Sequence, residues 1–179
     1  MSTLRPFSIY DMFKFNNVNL DILTETYHTN FYGLYIATWN EYCITSENSQ
    51  GIIEGYILGK VEGKEKKHHG HVTAVTVAPQ FRKQGLAKKL MNILEDVTTN
   101  MHDAYFVDLF VRSSNKVATK MYERMGYNIY RIIDKYYSED TNQPAEDAYD
   151  MRKSMPKDVS KETSKPTGKT IKPNELEFN

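Results

Sequence analysis

The run from His71 to Thr99 constrains the fold more than any other stretch of the chain. His71-Val72-Thr73-Ala74-Val75-Thr76-Val77 is rich in β-branched residues and reads as a strand, which Pro79 ends. A short basic turn, Gln80-Phe81-Arg82-Lys83-Gln84, leads into Gly85. Leu86, Leu90, Ile93, Leu94 and Val97 then recur at near-helical spacing and predict one apolar stripe on a helix over about 85–99. A strand that feeds a helix through so short a turn points to a mixed α/β layer structure.

The other elements fit that class. Leu4 to Phe7 reads as a strand, and Ser8 with Asp11 resembles an N-cap pair opening a helix through Met12, Phe13 and Phe15. An aromatic-rich helix is expected over about 25–39, a hairpin over 41–46 and 52–61, and a strand over 105–111. Ser113, Ser114 or Asn115 caps a helix with the stripe Val117, Ala118, Met121, Tyr122 and Met125, and Gly126 stops it. Strands over 127–137 and 147–153 flank a loop holding Asn142-Gln143-Pro144. After Met155 the composition turns to Lys, Glu, Thr, Ser, Pro and Gly. The expectation is a single α/β domain over 1–154, a twisted mixed sheet flanked by helices, and a disordered polar tail over 155–179.

Lys and Arg together number 23 and Asp and Glu also 23, so no global field draws the chain to nucleic acid or an anionic membrane. Cys43 has no second cysteine to pair with, and Met1 to Pro6 is followed by no signal-like apolar stretch, which together read as cytoplasmic. Cys43 itself, in the strand-like run Tyr42-Cys43-Ile44, reads as a buried structural thiol. His68-His69-Gly70-His71 does not read as a metal site: adjacent imidazoles in extended chain do not converge, and no Cys or carboxylate set completes the ligands.

The basic turn carries the chemistry. A helix N-terminus offers unsatisfied backbone N–H groups and about half a positive charge, enough to hold a diphosphate without a metal. Gly85 lets the backbone approach closely, and Arg82 and Lys83 add charge. An ordinary strand-to-helix connection with solvated basic residues fits the same sequence, and physics alone does not separate the two.

Arg82-x-x-Gly85-x-Ala87 resembles the acetyl-CoA signature of the GNAT acetyltransferase superfamily, and Asn115-x-x-Ala118-x-x-x-Tyr122-x-x-x-Gly126-Tyr127 resembles its cofactor-side helix. Ala87 stands where glycine is more frequent, but it keeps the N–H. The resemblance implies acetyl-CoA as cosubstrate, no metal, and cofactor contacts from Val75, Thr76, Val77, Arg82, Lys83, Gln84, Gly85, Leu86, Ala87, Asn115 and Tyr122. It further implies that the backbone N–H near Val77 receives the oxyanion and that Tyr122 protonates the leaving thiolate, although Tyr122 also fits plain core packing.

Asn19 to Tyr27, Trp39, His71-Val72-Thr73, Phe106 to Arg112 and Asp147 to Arg152 bring the resemblance closest to NatB-type N-terminal acetyltransferase catalytic subunits, over about 1–153. Such enzymes act on proteins beginning Met-Asp, Met-Glu, Met-Asn or Met-Gln. An α-amine, with a reference pKa of about 7.7 to 8.0 against about 10.4 for lysine, needs only a weak base, and Glu25, His71 or a tyrosine working through water would serve. His71 and Thr73 share a strand face and offer donors to the second substrate residue. Tyr136 and Tyr137 match the part that closes the family's peptide groove, and Tyr27 and Phe110 its walls. The resemblance also implies a large helical-repeat (TPR-type) auxiliary subunit that brings the chain to the ribosome and nascent chains, with Val18, Leu20, Ile22 and Leu23 as candidate contacts. Two rivals share the cradle: a GNAT enzyme for lysine side chains or small amines, and a noncatalytic acetyl-CoA-binding scaffold.

Overall fold

The computed structural model describes residues 2–20, 24–137 and 144–176. Its strands are β1 (Thr3–Pro6), β2 (Ile44–Glu47), β3 (Ile53–Glu62), β4 (His69–Val77), β5 (Phe106–Arg112), β6 (Asn128–Tyr137), β7 (Glu146–Ser154) and β8 (Thr170–Ile171). They form one mixed sheet in the order β1-β2-β3-β4-β5-β7-β6-β8. The helices are α1 (Asn16–Asn19), α2 (Thr29–Thr38), α3 (Leu86–Asn100) and α4 (Lys116–Arg124). None among the described residues is long and apolar enough to cross a membrane. The chain packs as two compact units, one of residues up to Lys60 with Val72–Val97, the other of Val61–His71 with residues from Thr98 onward.

In the first unit β1, β2 and β3 form an antiparallel series, with Arg5 opposite Thr45 and Thr45 opposite Tyr56. Its core is aromatic: Phe7 and Phe15 both lie edge-on to Tyr56, at 5.4 and 5.7 Å between ring centres. The Ser8–Asp11 capping box forms, but it opens a 3-10 turn over Ile9–Phe13 rather than a regular helix. Asp11 does more than cap. Besides accepting from the Ser8 N–H at 2.7 Å, it is buried and held bidentately by Arg5 of β1 at 2.8 Å, which pins the turn to the strand. The one-turn α1 that follows points Val18 into the core, fully buried. Val18 is therefore no partner contact. Leu20 is 85% exposed, while Ile22 and Leu23 lie outside the described residues.

Gly55 of β3 is required by contact. A Cβ there would stand 2.6 Å from the carbonyl oxygen of Thr76 and 3.2 Å from the Val77 Cα, so a side chain must push β3 off β4. Gly55→Ala is expected to cost about 1–3 kcal/mol, in the range of other overpacking changes. Denaturant unfolding checks this, and an unchanged midpoint contradicts it.

In the second unit β7 pairs antiparallel with β5, from Phe106 opposite Ser154 to Arg112 opposite Ala148, and with β6 on its other side. Asn115 caps α4 as expected, its Oδ1 accepting from the Ala118 N–H at 3.1 Å, and Gly126 stops it at φ +93°. The loop residues Asn142 and Gln143 lie outside the described residues.

Residues 155–176, expected as a disordered polar tail, instead follow a defined course. Asp158 is buried and accepts from the Ser154 hydroxyl at 2.8 Å, the Thr163 hydroxyl at 2.6 Å and the Thr163 N–H at 2.9 Å. Farther on, β8 adds parallel to β6, with Thr170 opposite Ile132. The composition rule weighs apolar burial. Here order rests on side-chain caps and on backbone hydrogen bonds to an open sheet edge, which composition does not register.

Candidate active site

At the end of β4 the chain makes a 3-10 turn over Pro79–Phe81 and enters α3 through two left-handed residues, Lys83 at φ +60° and Gly85 at φ +78°. Gly85 serves conformation here, since a Cβ would meet nothing within 4 Å. It stands immediately before α3, whose leading N–H groups have no partner within the helix. Leu86 is buried and anchors the turn, Ala87 is half-buried, and Arg82, Lys83 and Gln84 are exposed. The Arg82 Nε donates to the Val77 carbonyl at 3.0 Å, so this side chain, expected only to add charge, also staples the turn to β4. Thr76 and Thr24 share a hydroxyl hydrogen bond of 2.9 Å, tying the segment before α2 to the same strand.

Along α2 the sequence places aromatics four residues apart, and they stack in series. Tyr27 lies on Phe31 at 4.2 Å, Phe31 on Tyr35 at 4.4 Å, and Tyr35 meets Trp39 at 5.1 Å. The expected helix over 25–39 is shorter, Thr29–Thr38, because His28 is extended. Glu25 and Tyr27 therefore sit on the approach to the helix, Glu25 exposed and Tyr27 half-buried. Tyr35, which sequence reasoning did not single out, shares a hydroxyl hydrogen bond of 2.9 Å with Thr73.

The second unit gathers the other expected peptide residues. Phe110 meets His71 edge-on at 5.3 Å and Tyr136 edge-on at 5.1 Å, and Tyr137 donates its hydroxyl to the Phe110 carbonyl at 3.3 Å. A bulge in β6 makes this possible: Lys135 takes φ +47° and its N–H goes to the Asp147 carboxylate at 2.9 Å, while register with β7 shifts between Ile133 and Tyr137. Glu146 accepts from the Ser114 N–H at 2.6 Å and supports the entry to α4. Glu146 fell in the expected loop and Asp147 at the start of the expected strand over 147–153, and the sequence marks neither one's partner.

His71 is buried, and its Nδ1 lies 2.7 Å from Oδ1 of buried Asp108. Asp108 in turn lies 3.5 Å from His69, which lies 3.4 Å from Glu62. Burial works to raise the Asp108 pKa, but His69, His71 and Arg152 outweigh it and hold the carboxyl below its usual range. Burial works to lower His69, and Asp108 with Glu62 overcomes it, leaving the imidazole above its usual range. Glu62, His69 and His71 bring one ligand atom each within 4.8 Å of one another, so a carboxylate does join two of the histidines, contrary to expectation. Asp108 already engages both imidazoles. His68 is elsewhere, facing the Gly63 and His102 carbonyls at 3.1 Å.

Tyr122 on α4 is buried and edge-on to Tyr127 at 6.0 Å, and burial pushes its phenol above the ordinary range, so it stays protonated near neutral pH. Cys43 is buried too, its thiol pushed up to about 12 by burial, which makes it structural and inert as a nucleophile.

Residues 9–127 match the Acetyltransferase (GNAT) family. The N-terminal acetyltransferase B complex catalytic subunit of Arabidopsis thaliana is 51% identical over 178 residues, 99% of each chain, and that of Saccharomyces cerevisiae is 41% identical over 99% of this chain and 100% of its own. Among solved structures, Chaetomium thermophilum Naa20 in complex with a bisubstrate analogue superposes with a TM-score of 0.89 at 40% identity, covering 96% of this chain and 97% of that one. The NatB acetyltransferase complex bound to a bisubstrate inhibitor gives 0.85 at 38% identity, over 98% and 99%. A strand, basic turn and helix of this form, on this sheet, place the chain in the GNAT acetyltransferase family. Within it, the chain belongs with the catalytic subunits of N-terminal acetyltransferase B. The likeness runs through the tail as well, beyond the 1–153 that motifs alone suggested.

Proposed function

We propose that this chain transfers the acetyl group of acetyl-CoA to the α-amino group of proteins beginning Met-Asp, Met-Glu, Met-Asn or Met-Gln. The observation that carries this reading is the likeness to NatB catalytic subunits over essentially the whole chain. In it, the N–H groups at the start of α3 hold the cofactor's diphosphate, with Lys83 and Arg82 adding charge and Val75 to Val77 supplying backbone contacts. Asn115 acts through its cap of α4. The unprotonated α-amine attacks the thioester carbon, the Val77 N–H receives the oxyanion, and Glu25 or His71 takes the proton that the nitrogen sheds as the amide forms. The carbon–sulfur bond then breaks, and the thiolate takes the Tyr122 proton. Of the residues expected to contact the first residue, Tyr27 belongs to one unit and Phe110, Tyr136 and Tyr137 to the other, and on β4 His71 with Thr73 reads the second.

The chain works with an auxiliary subunit of the helical-repeat (TPR) type that brings it to ribosomes in the cytoplasm. Leu20, exposed beside α1, is part of the contact. Peptides offered with a free or a chemically blocked α-amine, each also containing lysine, test the substrate class. Acetylation confined to the free α-amine supports the reading. Product on lysine with the α-amine blocked contradicts it.

A further inference from the structure

We propose that Glu146 is a positioning residue for the substrate peptide: its carboxylate fastens the end of the β6–β7 pair, which carries Tyr136 and Tyr137, to the loop that leads into α4. This rests on the proposed contact of those two tyrosines with the substrate's first residue. All of these groups belong to the second unit. Tyr137 and Glu146 are partners across β6 and β7, and residues directly opposite one another put their side chains on one face of a sheet. Arg112, at the end of β5, lies against both: its guanidinium is 4.1 Å from the centre of the Tyr137 ring, and its Nη1 is 3.5 Å from the Glu146 carboxylate. Glu146 also accepts from the Ser114 N–H at 2.6 Å and the Ser113 hydroxyl at 3.3 Å. Burial works to raise its pKa, but hydrogen bonds from Ser114, Ser113 and Arg112 outweigh it and hold the carboxyl below its usual range, so the charge that Arg112 meets is present at neutral pH.

The carboxylate acts through Arg112. Held by Glu146, the guanidinium stays over the Tyr137 ring, whose hydroxyl donates to the Phe110 carbonyl at 3.3 Å. Tyr136 then packs edge-on to Tyr137 at 5.2 Å and to Phe110 at 5.1 Å, so the orientation of both tyrosines follows from one fixed cation. Removing the carboxylate frees Arg112 to swing toward water. The start of α4 keeps its own fastenings, since the Asn115 Oδ1 accepts from the Ala118 N–H at 3.1 Å and the Asn115 N–H goes to the Arg112 carbonyl at 2.9 Å. The Asp147 carbonyl also still accepts the Ser113 N–H at 3.0 Å, so the strand end loosens without detaching. The loss therefore falls on the peptide side and spares the cofactor side.

The test is steady-state kinetics of a Met-Asp peptide and of acetyl-CoA with the catalytic chain and its auxiliary subunit. Glu146→Ala should raise the peptide KM about tenfold, the scale of one lost hydrogen bond to a charged group. Because the tyrosines bind the peptide without touching the thioester, kcat and the acetyl-CoA KM should stay within about twofold of wild type. Glu146→Gln is nearly isosteric and keeps an acceptor for the Ser114 N–H but loses the charge facing Arg112, so it should raise the peptide KM about threefold. An unchanged peptide KM in Glu146→Gln overturns the inference even if the alanine variant does not fold. A parallel rise in the acetyl-CoA KM also overturns it, by making Glu146 a support of α4 alone. Tyr137→Ala should raise the peptide KM by itself, and adding Glu146→Ala to it should change the KM no more than about twofold, because the two act as one unit. Full additivity of the two changes overturns the inference. If Tyr137→Ala leaves the peptide KM unchanged, the contact proposed for Tyr137 fails as well; if it raises the KM and Glu146→Gln does not, only the Glu146 inference fails.

Discussion

Tyr122→Phe is expected to lower turnover by roughly 10²- to 10⁴-fold, the range associated with losing a general acid, while leaving cofactor and peptide affinity near wild type. The ring is buried against Tyr127 and the change removes one oxygen, so packing is preserved. What is lost is a phenol that burial keeps protonated, the group that the proposed mechanism uses to protonate the thiolate as the thioester collapses. Single-turnover kinetics with the auxiliary subunit present separates the steps. A wild-type rate assigns Tyr122 to packing and the acid to another group.

Gly85→Asp is expected to abolish acetyl-CoA binding. Two effects act together there. Gly85 holds φ +78°, a conformation that a side chain adopts at a cost of about 1 kcal/mol or more, and Asp would add a negative charge just before the first turn of α3, where the proposed cradle holds the diphosphate. Calorimetric titration of acetyl-CoA into the folded variant reads the outcome, with Gly85→Ala separating strain from charge. Ala should weaken binding, whereas Asp should remove it. Unchanged affinity in Gly85→Asp moves the diphosphate away from this turn.

Much of the fold was legible because its signals are local. The Leu86, Leu90, Leu94 stripe, the Asn115 cap and the Gly126 stop each act within a few residues, and α3 and α4 lie within a residue or two of their expected ends. Ser8 and Asp11 formed their box, while the second hold on Asp11, by Arg5 from a separate strand, is marked by no local pattern. The same distinction runs through the site. Residues 82–87 are contiguous and could be read as a cradle, whereas Tyr35 reaching Thr73 and Asp108 reaching His71 span 38 and 37 positions, and no local pattern marks either. Tyr136 and Tyr137 were placed by resemblance, while the bulge at Lys135 that arranges them depends on Asp147, across the β6–β7 connection. In the tail, β8 finds its partner β6 only in three dimensions, whereas Asp158 caps Ser154 and Thr163 within five positions, a local signal that composition does not weigh.

The most direct test of the substrate assignment compares kcat/KM for peptides beginning Met-Asp and Met-Leu, using the catalytic chain together with its auxiliary subunit. A site that hydrogen-bonds its substrate leaves its own groups unpaired when the second residue cannot accept, so discrimination on the order of 10³-fold or more is expected, above the roughly 10- to 200-fold that an apolar groove gives for a small change in side chain. His71→Ala with Thr73→Val should flatten it without loss of acetyl-CoA binding, since neither residue belongs to the 82–87 turn. Strong preference for Met-Asp is the result the account predicts; comparable values for the two peptides with the wild-type protein would contradict it.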